Sequence, residues 1–206
     1  MSCVLRARRA QRLWPVVLLC AVSIVWCRAA ARAEGGASIG QMIGDFTLTD
    51  LQGKAHTLSQ YRGKIVLLDF WSATCPFSAR YEERLKAIAT EYASQGVVTL
   101  AIDANKTEPL ELVQRVAAER RVPFPILIDP GNRIADQLGG LTTPHVFLLD
   151  AQRRLVYQGA IDDEGLRPKP VTHRYLRDAL DALLAGRAVT TSRTEPIGCS
   201  IKRVQP

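Results

Sequence analysis

Hydrophobic positions between residues 46 and 186 follow two patterns that together predict an α/β fold. Short runs of consecutive apolar residues indicate buried strands, and apolar residues spaced three or four apart indicate helices. The predicted strands cover residues 46–49, 55–58, 65–71, 97–102, 126–128, 145–149 and 155–159. The predicted helices cover about residues 76–94, 110–117, 132–138 and 172–185. This order predicts a three-layer sandwich with a central mixed β-sheet, flanking helices and an N-terminal β-hairpin extension.

The first 33 residues have a different pattern, which predicts a cleaved secretory signal peptide. Four arginines precede an apolar run from Leu13 to Trp26, and Ala31-Arg32-Ala33 supplies a cleavage site. The run is short for a membrane span, so an uncleaved N-terminal membrane anchor is the less favoured alternative. We therefore expect an exported, periplasmic or extracytoplasmic protein with a folded domain at 34–186. Residues 187–206 are expected to form an irregular, mobile tail.

Removal of this segment changes the charge of the protein. The 206-residue chain has a net charge of +7, but six of its 27 basic residues and none of its 20 acidic residues precede residue 34. The remaining 21 basic residues give a net charge near +1. The basic character therefore belongs to the export segment and gives no support for nucleic-acid binding.

The cysteine count falls from five to two in the same way, because only Cys75 and Cys199 follow residue 33. In an oxidising compartment these two can pair and leave no cysteine over. His56, His145 and His173 are scattered without the spacing of metal ligands, so we expect no metal site and interpret each as a surface or loop histidine. No cofactor is expected.

Cys75 lies where a predicted buried strand gives way to a helix. Pro76 suits the first helical turn, because its missing N–H would have no partner there. Unpaired backbone N–H groups and the positive end of the helix dipole favour the thiolate, which is the reactive form of cysteine. The position therefore indicates a reactive Cys75 rather than an inert one.

The residues around Cys75 resemble the active site of the thioredoxin-like superfamily. Thioredoxins have Asp-Phe-Trp, three residues and then Cys-x-x-Cys, and this chain has Asp69-Phe70-Trp71, three residues and then Cys75-Pro76-Phe77-Ser78. Thr143-Pro144 lies where the superfamily has a cis-proline loop facing the sulfur. Over about residues 40–186 the chain is similar in particular to the redoxin branch, the AhpC/TSA or peroxiredoxin-like proteins. The resemblance implies a thioredoxin-like fold.

The resemblance also implies roles for single residues. Ser72 lies where peroxiredoxins carry Thr or Ser before their peroxidatic cysteine. Asp69 resembles the buried acid of thioredoxins, although a strand-end carboxylate bonded to water is the alternative. The implied substrate site consists of Trp71, Pro76, Phe77, Ser78, Thr143 and Pro144. Trp71 and Phe77 have an alternative as simple core residues, and Thr143-Pro144 as an ordinary turn.

Ser78 departs from the thioredoxin pattern, since it replaces the second cysteine that resolves a mixed disulfide. Cys199 is the other sulfur left in the mature chain, about 120 residues away along the sequence. The segment Gly198-Cys199-Ser200-Ile201-Lys202 resembles the ending of some peroxiredoxin-like redoxins. Cys199 is therefore a candidate resolving cysteine.

Three functions stay open. The first, slightly favoured, is an antioxidant thiol peroxidase in which Cys75 attacks a peroxide and Cys199 resolves the sulfenic acid. The second is thiol–disulfide exchange with a protein thiol or disulfide substrate through Cys75. In both, a separate thiol reductant is expected as partner, and a membrane-bound one is an option. The third is a non-catalytic binding module with a structural Cys75–Cys199 disulfide. Acidic Glu82-Glu83 and Asp162-Asp163-Glu164 are interpreted as solvated.

Overall fold

The computed structural model describes residues 36–167 and 169–204. The predicted signal peptide lies outside the described residues. Within residues 36–167 and 169–204, no helix combines the length and the apolar character needed to cross a membrane.

The described residues form an α/β fold, as the sequence predicts. The strands are β1 (Thr47–Asp50), β2 (Ala55–Thr57), β3 (Ile65–Trp71), β4 (Val97–Asp103), β5 (Ile126–Ile128), β6 (Thr142–Thr143), β7 (Val146–Leu149), β8 (Leu155–Gly159) and β9 (Cys199–Ser200). The α-helices are α1 (Pro76–Ala93), α2 (Leu110–Glu119), α3 (Arg133–Leu138) and α4 (Tyr175–Leu184), and a short 3-10 helix covers Leu58–Tyr61.

Seven strands form one mixed sheet in the order β2-β1-β5-β4-β3-β7-β8. Strands β3, β4 and β5 are parallel, while β1 and β7 are antiparallel to their neighbours β5 and β3. β1 and β2 form the predicted N-terminal hairpin. Because β3 pairs with β4 on one side and with β7 on the other, the loop that follows its carboxyl end starts from a position fixed on both sides.

Alternate side chains of β3 enter two separate cores. Leu67 and Trp71 pack on the face covered by α1, α2 and α4, whereas Leu68 and Phe70 pack on the face covered by α3. All four are fully buried, and each such side chain contributes about 1.5–3 kcal/mol to folding. Asp69 has the same parity as Leu67 and Trp71, so it lies under α1.

Several polar residues are more buried than the sequence indicates. His56 and His145 are each 4% exposed and are not surface histidines, because His56 pairs with Asp50 and His145 packs on the ring of Phe147. Asp162 and Glu164 are not solvated either, since Arg84 binds both carboxylates at 2.9 and 2.6 Å.

The last predicted helix begins later than expected. Arg174 is its N-cap residue and α4 starts at Tyr175. Thr172 donates its backbone N–H (2.9 Å) and its hydroxyl (2.5 Å) to the carboxylate of Asp163. The preceding loop, and not the helix, therefore takes up the hydrogen-bonding capacity of Thr172.

Candidate active site

Cys75 lies at the junction between β3 and α1. It is the N-cap residue of α1, with an extended backbone (φ −77°, ψ 120°), and Pro76 follows at the start of the helix. The residue is 3% exposed. Its sulfur accepts a hydrogen bond from the backbone N–H of Ser78, one of the groups that a first helical turn leaves without an intrahelical partner. The junction therefore holds this sulfur at the positive end of α1.

The loop before Cys75 is fixed by Glu108, which lies two residues before α2. Oε1 of Glu108 accepts hydrogen bonds from the hydroxyls of Ser72 (2.6 Å) and Thr74 (2.5 Å), and Oε2 accepts the N–H of Ala73 (2.9 Å). Ser72 Oγ in turn accepts the N–H of Cys75 at 3.0 Å. Burial opposes ionisation, but these hydrogen bonds outweigh it and lower the pKa of Glu108. One carboxylate thus positions the three residues that precede the cysteine.

The loop before β7 approaches Cys75 from another side. The Thr143–Pro144 peptide bond is cis, which confirms the preferred interpretation of this dipeptide over an ordinary turn. The backbone oxygen of Thr143 lies 2.9 Å from Cys75 Sγ and accepts a hydrogen bond from the thiol. Thr143 is 1% exposed, so this contact lies in a largely dry environment.

Backbone pairing brings the second cysteine to the same place. Strand β9 pairs antiparallel with β6, with Cys199 opposite Thr143 and Ser200 opposite Thr142. The Cys199 thiol is hydrogen-bonded to Cys75, and its sulfur also accepts the backbone N–H of Phe77. The expectation of an irregular tail is therefore wrong at this point, because a short strand holds Cys199 against the first turn of α1.

The two thiols differ in acidity. Burial raises the pKa of Cys75, but hydrogen bonds from the Cys199 thiol, the Thr143 hydroxyl and the Ser78 N–H outweigh burial, so that the pKa of Cys75 is lowered. Burial, together with the hydrogen bond to Cys75 and its charge, raises the pKa of Cys199 to about 11. When the pair has lost one proton, Cys75 is therefore the thiolate and Cys199 remains the donor. The arrangement gives a nucleophile and an adjacent thiol that can close a disulfide with it.

Asp69 lies in the core near Cys75. It is fully buried, and neither carboxyl oxygen makes a well-formed hydrogen bond among residues 36–167 and 169–204, although the backbone N–H of His145 lies close enough to favour the charged form. Burial raises the pKa of Asp69 well above its usual value, and the charges of Cys75 and Glu82 raise it further. Complete burial keeps this carboxylate out of contact with bulk solvent. A protonated Asp69 places no negative charge near the Cys75 thiolate.

Glu82 supports the same region from α1 and is not part of a solvated helix face. It is 3% exposed and accepts a hydrogen bond from the indole of Trp71 at 3.4 Å. Arg120 and Lys86 each place a cationic nitrogen 3.3 Å from its carboxylate. Arg120 also donates to the backbone oxygen of Ala73 at 2.9 Å. These contacts link the buried carboxylate to the loop before Cys75.

Comparison with known proteins places this geometry in a family. The model of the AhpC/TSA family matches residues 39–158, which include Cys75 and the Thr143–Pro144 loop. The chain belongs to the AhpC/TSA family. The thiol-disulfide oxidoreductase ResA of Geobacillus kaustophilus (strain HTA426) is 33% identical over 135 residues, which are 66% of this chain and 76% of that protein.

Solved structures support the fold of this AhpC/TSA-family chain. A hypothetical protein, SMc02350 from Sinorhizobium meliloti 1021, superposes with a TM-score of 0.75 and 36% identity, covering 84% of this chain and 98% of that one. A putative thiol:disulfide interchange protein, DsbE from Chlorobium tepidum, has a TM-score of 0.58 and 19% identity, covering 73% and 98%. The second likeness shows the fold alone, and it confirms the thioredoxin-like sandwich.

The residues implied by the resemblance occupy different layers of the site. Pro76 is exposed and Phe77 is half-buried beside the sulfurs, while Trp71 is fully buried in the core, in agreement with its alternative as a core residue. Ser78 is 1% exposed, and its hydroxyl has no partner among the described residues. Sequence reasoning missed Glu108. The one available signal was an acidic residue just before Pro109 and a helix. Acidic residues are common at helix N-termini for other reasons, so this signal is not specific.

Proposed function

We propose that the protein is a thiol–disulfide oxidoreductase that uses Cys75 as nucleophile and Cys199 as resolving cysteine. The observation that carries the proposal is the contact between the two thiols at the first turn of α1, with the more acidic sulfur on Cys75. The names of the ResA relatives support the same class of reaction. This choice reverses the slight preference for a peroxidase that the sequence alone suggests.

The reaction proceeds by two sulfur displacements. The Cys75 thiolate attacks one sulfur of a substrate disulfide, the substrate S–S bond breaks, and one substrate thiolate leaves. Cys199, having lost its proton, then attacks Cys75 Sγ and releases the second substrate thiolate. The substrate gains two electrons and the protein ends as the Cys75–Cys199 disulfide. A dithiol reductant returns it to the reduced form, and with an oxidised protein the same steps run backwards on a substrate dithiol.

Ser72, Asp69 and the cis-proline loop act on this chemistry without exchanging sulfur. Ser72 accepts the Cys75 N–H and so fixes the backbone that carries the nucleophile. A protonated Asp69 removes the repulsion that a buried carboxylate would exert on the thiolate. Pro76, Phe77, Ser78, Thr143 and Pro144 would surround a bound substrate. The predicted export signal supports an extracytoplasmic, oxidising compartment for the reaction, with a separate thiol reductant.

Peroxide reduction is a second candidate, which one observation favours. Cys199 already contacts Cys75, so a sulfenic acid formed there by cleavage of a peroxide O–O bond would meet its resolving thiol without rearrangement. Condensation of the two would release water and form the same disulfide. A protein substrate, in contrast, must gain access to a cysteine that is 3% exposed.

The experiment compares the two oxidants on the reduced protein. A peptide disulfide and hydrogen peroxide are added separately, and mass spectrometry follows the Cys75–Cys199 disulfide. We expect the peptide disulfide to react faster, Cys75→Ser to be inactive, and Cys199→Ser to stop at a mixed disulfide; Ser200→Ala is the matched control. Faster reaction with peroxide would favour the peroxidase instead. A disulfide with a reduction potential below about −300 mV would indicate a structural staple.

A further inference from the structure

The edge of β6 beside the active site is covered by the chain's own C-terminal segment. Cys199 and Ser200 pair antiparallel with Thr143 and Thr142, and the N–H of Ile201 continues the ladder to the oxygen of Leu141 at 3.0 Å. Addition of an extended segment to a free strand edge is a general way for proteins to bind peptides. The segment 198–201 therefore pairs with this edge as an extended peptide would.

Contacts beyond the strand hold this segment in one register. Ile201 is 7% exposed and packs in the core under α3. The N–H of Lys202 donates to Asn105 Oδ1 at 2.9 Å, and its oxygen accepts the N–H of Lys106 at 2.9 Å. The N–H of Val204 donates to Asn132 Oδ1 at 2.7 Å. The position of Cys199 is thus set by anchors on its carboxyl side.

The residue before Cys199 has no room for a side chain. A Cβ atom on Gly198 would lie 2.2 Å from the backbone oxygen of Thr143 and 2.6 Å from its carbonyl carbon. These are backbone atoms of the cis-proline loop, so they cannot move aside as a flexible side chain would. The residue after the cysteine, Ser200, is exposed. The β6 edge therefore admits only glycine at the position before the cysteine, whereas it tolerates larger side chains at the position after it.

We propose that residues 198–200 occupy the substrate's own place. A cysteine-bearing extended segment of a substrate protein displaces them, pairs with Thr142–Thr143 in the same register, and is accepted best when glycine precedes its cysteine. The inference rests on the proposed thiol–disulfide exchange. The Cys75 thiolate then attacks the sulfur of the seated cysteine, and the other sulfur of the substrate disulfide leaves. When residues 198–200 return, Cys199 attacks Cys75 Sγ and the substrate thiolate departs.

Peptide probes test the register. Each probe is an extended peptide whose single cysteine is disulfide-bonded to thionitrobenzoate, so release of that coloured thiolate reports the first displacement at Cys75. Cys199→Ser serves as the background, because it isolates this step. We expect a probe with glycine before the cysteine to react at least about tenfold faster than one with alanine there, about 1.4 kcal/mol. Alanine for glycine after the cysteine should change the rate less than twofold, and equal effects at the two positions would overturn the register.

Loosening the segment tests the displacement. Gly198→Ala in the Cys199→Ser background should release the edge and accelerate the glycine probe about tenfold, as expected when the binding-competent fraction rises from about a tenth to nearly all. Gly131→Ala is the matched control, because a Cβ there meets only the Arg133 side chain at 3.7 Å. Hydrogen exchange at the Ile201 amide checks that the segment has loosened, with Ile201→Ala as a second loosening variant.

The outcomes separate this inference from the proposed function. Unchanged probe rates in both loosened variants would overturn the displacement, and so would failure of both variants to speed exchange at residue 201. Equal acceleration of the peptide and of a small disulfide reagent would also overturn it, since the segment would then shield only the sulfur. If the Cys199→Ser protein forms no mixed disulfide with any probe, the proposed function itself fails.

Discussion

The loop 72–75 and the C-terminal segment 192–202 meet at the same two sulfurs but are held in place by different means. The loop is fixed by side chains from elsewhere in the fold, chiefly the Glu108 carboxylate. The C-terminal segment is fixed mainly by its backbone, which pairs with β6 and with Gln158 of β8. A nucleophile needs one fixed position, whereas a resolving cysteine must approach and retreat. Side-chain anchoring suits the first task, and a two-residue strand suits the second.

Of the changes that test this comparison, removal of the Glu108 charge should have the largest effect on the free energy of unfolding. In Glu108→Gln one amide nitrogen would face backbone and hydroxyl donors, so the loop loses charge-assisted hydrogen bonds. We expect the free energy of unfolding at pH 7 to fall by about 2–4 kcal/mol, measured by denaturant titration. Glu111→Gln, an exposed acid in the first turn of α2, is the matched control and should cost about 0.3–1 kcal/mol.

The stability lost in Glu108→Gln should depend on pH in a defined direction. Because the folded-state pKa of Glu108 is lowered, its contribution is present above the unfolded pKa and is lost as pH falls through the folded value. The curves for wild type and Glu108→Gln should therefore converge in acid. A constant difference between the two curves down to acid pH would show that the Glu108 charge does not hold the loop.

In the C-terminal segment we expect a smaller loss of stability when an anchor that precedes Cys199 is removed. Thr194 Oγ1 accepts the N–H of Ala160 at 2.9 Å and is hydrogen-bonded to the hydroxyl of Tyr157 at 2.7 Å. Thr194→Val keeps the shape and removes the oxygen, so we expect a loss of about 1–2 kcal/mol in the free energy of unfolding. Thr191→Val, at an exposed position, should change it by less than about 0.5 kcal/mol. Equal effects at the two positions would mean that this anchor contributes nothing.

The sequence predicted the elements that carry Cys75, but it did not predict the contacts that Glu108 and Cys199 make with them. The apolar run before Cys75 and the apolar spacing after it correctly predicted β3 and α1, and Thr143-Pro144 indicated the cis loop. The two elements rest on interactions between residues close in sequence, and the cis loop rests on the resemblance to the thioredoxin-like superfamily. Glu108 lies 33 or more residues from the loop it fixes, and Cys199 lies opposite Thr143 only because the chain returns to β6. No periodicity reports such contacts.

The burial of acids was missed for a related reason. A Glu pair on an amphipathic helix normally faces solvent, yet Glu82 is buried because Arg120 and Lys86 reach it from α2's end and from the next turn of α1. Asp162 and Glu164 are buried because Arg84 crosses to them from α1. Buried charge depends on a partner that arrives through the fold. The sequence shows the charge, and only the packing shows the partner.

The smallest effect, and the one of opposite sign, is expected at Asp69. Its folded-state pKa is raised, so the folded protein binds more protons than the unfolded chain above pH of about 4, and stability falls as pH rises from there to the folded pKa. Asp69→Asn removes this penalty and should raise the free energy of unfolding at pH 7 by about 1 kcal/mol. The gain should shrink as pH falls through the unfolded pKa near 4, below which wild-type Asp69 is protonated in both states.

Asp103 provides the control for that experiment. Burial raises its pKa to about 7, so it destabilises the fold over a window from about pH 4 to pH 7. Asp103→Asn should therefore reach its full gain near pH 7, which gives a reference curve for the pH profile of Asp69→Asn. If Asp69→Asn destabilised the protein at neutral pH, the buried carboxylate would have an unrecognised partner. The Cys75 thiolate would then have to form beside a negative charge.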